Sequence, residues 1–125
     1  MPPAAARDVT DWLARLRHDL VKRLVWPARD RRAAGGAPAP GELAARLIDH
    51  EGRPATAEAL WADLAADAPA ALDIAPFAAA LTSALQAAAS GDVGGVLALE
   101  SAFDQLAARG QVLARSLEES DERKR

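Results

Sequence analysis

"VLALESAFDQLAARGQVLARSL" (Val96–Leu117) repeats its large apolar residues every seven positions in two offset series. Val96, Phe103, Gly110 and Leu117 make one series; Leu99, Leu106 and Leu113 make the other, three residues out of step. That spacing lays a continuous apolar seam along an α-helix, in the manner of the a and d positions of a coiled coil. The helix is expected to start between Asp92 and Val96 and to end near Glu119, with residues 120–125 as a disordered charged tail. Gly110 is the odd member of the seam. It either weakens the helix, by roughly 1 kcal/mol relative to Ala, or leaves room for a bulky neighbour such as a tryptophan. The seam itself has two uses: packing inside the chain, or a homodimer through residues 95–117. Charged outer positions and abundant apolar residues elsewhere favour the first.

Working outward, the rest of the chain reads as further helices. Val9, Leu13, Leu16, Leu20 and Leu24 recur at steps of three and four and form one stripe. That first helix is expected to begin near Asp8 or Thr10, both good N-cap types. Pro27 lacks an N–H and crowds the carbonyl of Arg23, so it should kink the helix. "GGAPAPG" (Gly35–Gly41) marks a linker, placed at residues 34–41. A short second helix is expected over Glu42–His50, with Leu43, Leu47 and Ile48 inward. Thr56 should cap a third helix over Ala57–Asp67, with Leu60, Trp61 and Leu64 inward. Asp73 should cap a fourth over Ile74–Ala89, closed by Gly91 in a left-handed conformation. The fourth carries no charge and is expected to be the most enclosed. The fold class is therefore all-α: a compact bundle of about five helices, four main and one short, in a single domain over residues 1–119.

Composition narrows the function. The chain has no Cys, which removes disulfides, thiolate metal sites and thiol nucleophiles. "MPPAAARDVTDW" (Met1–Trp12) lacks the layout of a signal peptide, so the expected location is cytoplasmic. The longest uncharged run, Ile74–Gly91, is alanine-rich and holds Pro76, Thr82, Ser83 and Gln86; it reads as a core helix, with no transmembrane span expected. Asp49, His50 and Glu51 are adjacent, so on a helix they diverge, and no metal site is expected there. The glycines of "GDVGG" (Gly91–Gly95) follow a helix and read as a turn between helices. No serine has the surroundings of a nucleophile. These absences argue against an enzyme, and no cofactor is expected.

Charge is uneven behind a net −3. Residues 1–32 carry +4, residues 33–107 carry −8 and residues 108–125 carry +1. The basic first segment either complements the acidic middle of its own fold or offers a face to an anionic partner. On that segment His18 points away from the leucine stripe, beside Arg15, Lys22 and Arg29, and Trp26 lies off the stripe close to Lys22 and Arg29. Trp26 is either covered by those side chains or by the short second helix, or it marks a contact surface. The candidate partner-binding residues are thus Arg15, His18, Lys22, Trp26 and Arg29, and the expected function is a non-enzymatic helical module that binds another protein. A basic amphipathic helix docking on an anionic membrane is an alternative. Nucleic acid is not an expected partner, because no nucleic-acid-binding motif is present.

"RHDL" (Arg17–Leu20) resembles the phosphoacceptor box of two-component histidine kinases and phosphotransfer proteins. His18, Asp19 and Leu20 follow that order, and Leu24 matches a later Leu. The resemblance implies an exposed imidazole as phosphoacceptor on a helical bundle. It departs from the kinase pattern at Lys22 and Arg23, which stand in place of Thr or Asn and Pro. It departs from the phosphotransfer pattern at Val21 and Lys22, in place of Lys and Gly.

Overall fold

A computed structural model describes residues 4–35, 47–49 and 51–123, the side chains of 6–35, 47–49 and 51–120 among them. Its helices are α1 (Ala4–Leu16), α2 (Lys22–Ala34), α3 (Ala57–Ala66), α4 (Ala75–Ser90) and α5 (Val93–Arg123), with a π-helical turn at Arg17–Val21 joining α1 to α2. The fold is compact and all-α; α1, the π turn and α2 run on as one rod, so the described residues form four helices. The remaining parts of the expected linker (36–41) and of the short helix (42–46 and His50) lie outside the described residues.

The leucine stripe explains the π turn. Leu16, Leu20, Leu24 and Ala28 follow at steps of four, and all are buried. On an α-helix each such step overshoots a full turn by about 40°, so the stripe would wind off the face it has to cover. The π turn spends an extra residue per turn: the Lys22 N–H donates to the Arg17 carbonyl, five residues back. The rod therefore keeps its stripe on α5. Pro27 sits inside α2, which continues through it to Ala34. Gly35 then closes the helix in the left-handed region (φ 76°).

The α5 seam serves the core. Val96, Leu99, Phe103, Leu106 and Gly110 are buried; Leu113 and Leu117 are half-buried at the far end. The neighbour over Gly110 is Leu13, not a tryptophan: a Cβ there would stand 2.4 Å from Leu13 Cδ1. α5 also continues past Glu119 to Arg123, into the segment expected as a tail.

Several expected boundaries shift. α1 starts at Ala4, ahead of both Asp8 and Thr10, because the strong helix former Ala6 is buried and adds to the first turn. Thr10 does not cap; its hydroxyl donates back to the Ala6 carbonyl (3.3 Å). Leu47–Asp49 is not helical. Ile48 bridges Pro54 antiparallel, the Asp49 N–H donates to the Arg53 carbonyl (2.8 Å) and Gly52 takes φ 82°. The turn-forming Asp49, Gly52 and Pro54 outweigh the helical spacing of Leu43, Leu47 and Ile48. α4 is not the most enclosed element either. Phe77, Leu81, Ala84, Ala87 and Ala88 are buried, but Pro76, Ala79, Thr82, Ser83, Gln86 and Ala89 face outward. An uncharged helix of small residues has only one face bulky enough to build a core.

Other sequence signals place their elements as read. The Thr56 hydroxyl accepts from the Ala59 N–H (3.1 Å), Asp73 Oδ1 from the Ala75 N–H (3.1 Å), and Gly91 ends α4 at φ 77°. Trp12, Trp61 and Phe77 form an aromatic chain across α1, α3 and α4, with ring centroids 6.4 and 5.3 Å apart. The buried Trp12 indole N–H donates to the Leu64 carbonyl at the end of α3 (2.8 Å), which gives its one polar atom a partner.

The α4–α5 turn depends on close approach. A Cβ on Gly95 would stand 2.5 Å from Ala87 Cβ, an atom with no rotamer to yield. Gly95→Ala is therefore expected to cost a net of about 1–2 kcal/mol, overpacking outweighing the gain in helix propensity. Urea unfolding followed by circular dichroism checks this; an unchanged or raised midpoint would contradict the contact.

Candidate functional site

The outward side of the rod divides the expected contact residues into two groups. His18, Lys22 and Trp26 come together. With Arg23, Pro27 and Asp30 they line a groove of about 380 Å³. Trp26 is 52 % exposed, and the Lys22 ammonium sits 4.0 Å from the centre of its ring. That is a cation–π contact at a wet surface, worth about 0.5–1 kcal/mol. It braces one side of the indole and leaves about half of it in water.

Arg15 and Arg29 leave the group. Arg15 Nη1 donates to Asp67 Oδ2 beyond the end of α3 (2.8 Å), and its Nε lies 3.8 Å from Asp19 Oδ2. Arg29 bonds both carboxylate oxygens of Glu100 on α5. Both partners belong to the acidic middle of the chain, so these two cations complement their own fold. The exposure of both pairs keeps each contribution small, about 0–1 kcal/mol. Arg23 and Asp30 were not singled out in the sequence. Both lie on α2 with Trp26, three residues before it and four after, which makes them its neighbours on the helix surface, and that spacing could have found them.

His18 lies within the π turn, its side chain 66 % exposed. Its Nδ1–H donates to Asp19 Oδ1 (2.9 Å), since a carboxylate only accepts. The imidazole is thus oriented by a carboxylate at Nδ1, with Nε2 on the side away from it. Of the cations expected around it, Arg15, Lys22 and Arg29, only Lys22 shares its groove, joined there by Arg23.

On the neighbouring side a smaller cleft of about 90 Å³ separates the rod from α3, lined in part by Arg15, Asp19, Arg23, Asp49 and Asp63. Asp49 organises the turn beside it. Its Oδ1 accepts from the N–H groups of Glu51 (2.8 Å) and Arg53 (3.0 Å), and Oδ2 accepts from Arg53 Nε (3.1 Å). The Arg53 N–H is the main reason the carboxyl sits below the ordinary aspartate value; the Glu51 N–H and the Arg53 guanidinium add to it, against partial desolvation. Among the described residues no cluster of His, Asp and Glu is arranged to hold a metal ion, and no helix is long and apolar enough to cross a membrane.

Comparison of the chain with protein-family models, with curated proteins and with solved structures gives no match in any of the three.

A depressed carboxyl pKa stabilises the turn at all pH values above the ordinary aspartate value of 3.8, and that support is lost as pH falls through the lower folded value. The amide resonances of Glu51 and Arg53 should therefore titrate together with a midpoint below 3.8. A midpoint at or above it would mean that the carboxylate does not hold the turn in solution.

Proposed function

We propose that the protein is a non-enzymatic helical module that binds another protein through the Trp26 side of α2. The observation that carries this reading is Trp26 itself: a large aromatic half in water, braced by Lys22 on a helix whose opposite face is fixed in the core. Trp and Arg dominate the energetics of protein interfaces, and a braced indole gives up little side-chain freedom on binding. The contact set is Trp26, Lys22, His18 and Arg23. An anionic lipid surface is the weaker fit, because Arg15 and Arg29 are already engaged by Asp67 and Glu100. Trp26→Ala should lower the unfolding free energy by no more than about 1 kcal/mol, the size of the lost cation–π contact, and weaken partner binding by about 2 kcal/mol or more. A photocrosslinker at position 26 should capture a partner in cells, whereas one at the exposed Gln111 of α5 should not. Equal capture from both positions, or a large loss of stability in Trp26→Ala, would overturn the assignment.

A second reading has its own observation. His18 turns Nε2 away from Asp19, which holds Nδ1, the arrangement of an imidazole nucleophile with its proton accounted for. Nε2 would attack the phosphorus of an acyl phosphate, the carboxylate would leave, and Lys22 and Arg23 would face the phosphoryl oxygens. Incubation with acetyl phosphate should then give an acid-labile phosphohistidine that is absent in His18→Gln. An unlabelled wild-type chain, or label that persists in the variant, ends this reading.

A further inference from the structure

A groove larger than the one at Trp26 lies away from it. It occupies about 520 Å³ between α1, the loop after α3 and the last part of α5. Its origin is a difference in length. α4 has 16 residues against 31 in α5, so its antiparallel course along α5 runs out about halfway. Leu113 and Leu117 lie beyond it and stay half-buried. With Val9 and Trp12 they supply the apolar walls of the groove.

Its rim is acidic. Asp8, Asp11 and Asp67 stand on it with a single cation, Arg15, which is already bonded to Asp67 (2.8 Å). Among the described residues no ion pair involves Asp8 or Asp11. The shape and charge call for a bulky apolar group flanked by cations. The chain carries such a group in Trp26, which has two cations, Lys22 and Arg23, and one carboxylate, Asp30, beside it. Trp26 cannot reach its own groove, because it stands roughly 20 Å along the rod from Trp12 at a rise of 1.5 Å per residue.

We propose that this groove receives the Trp26 side of α2 from a second copy of the chain. The proposal rests on the reading of Trp26 as a contact residue and names one partner for it. Every copy carries both halves of the contact, so association closes as a two-fold pair or extends head to tail.

Mixing tests the proposal on the full chain. By sedimentation, the wild type should form dimers or larger species as concentration rises. Trp26→Ala and Leu117→Glu should each remain monomeric, and an equimolar mixture of the two should restore a one-to-one complex, since one keeps the groove and the other the indole. The double variant Asp8→Lys, Asp11→Lys alters exposed side chains only and should weaken self-association about tenfold or more. It replaces Leu117→Glu in the mixture if that chain melts early. A wild type that stays monomeric throughout, or folded variants whose mixture stays monomeric, overturns the proposal. If the wild type is monomeric yet position 26 still crosslinks to a different protein, self-association alone is wrong. If both signals are absent, the Trp26 reading falls with it.

Discussion

Leu16, Leu20, Leu24 and Ala28 are all buried, and an unbroken α-helix cannot hold residues spaced by four on one line. The rest of the molecule depends on how that mismatch is absorbed. The π turn at Arg17–Val21 resets the rotation of the rod once, near its middle, and both ends then meet the α5 seam. Leu13 fills the space left by Gly110 toward one end, and Arg29 meets Glu100 toward the other. The same reset decides what faces outward. It places His18 on the widened turn, ahead of the α2 face that carries Arg23, Trp26 and Asp30.

The second constraint is aromatic. α3 is short, and a helix of its length has little stability alone. Trp61 ties it to Trp12 on one side and to Phe77 on the other, and the Trp12 indole satisfies a carbonyl at its C-terminal end. Exposed pairs such as Arg15 with Asp67 add orientation more than energy. The acidic middle of the chain is thus partly spent on its own basic rod. What is left over is local: cations around Trp26, carboxylates around the groove at the start of α1.

Features set by neighbours in sequence were legible before the fold was known. The α5 seam, the Thr56 cap, the aspartate at the start of α4 and the glycine at its end all depend on residues within a turn or two. Trp61 reads as inward from its spacing and is half-buried, whereas the burial of Trp12 and the exposure of Trp26 were harder to read, because each depends on which helix lies opposite. For Trp26 the sequence kept cover and contact both open. Leu47–Asp49 was misread because helical spacing was weighed above the turn chemistry of Asp49, Gly52 and Pro54. Arg15 and Arg29 looked like part of one cationic face since helix geometry alone puts them there; their partners lie 52 and 71 residues away in the chain. The groove beside Leu117 has no local signature at all, being the difference between two helix lengths. The four-residue spacing of Leu16, Leu20, Leu24 and Ala28 was visible and is the trace from which the π turn can be inferred.

A turn that closes over five residues contains one more than an α-turn needs. Removing a single residue from Arg17–Val21 would let the backbone revert to ordinary α geometry, and α2 would keep its orientation, with Leu24 still inward and Trp26 still outward. The rod therefore has one place where its length can change by one without disturbing either end. In a lineage of such chains, that is where a one-residue insertion or deletion would be tolerated. His18 would be the residue whose surroundings such a change alters most.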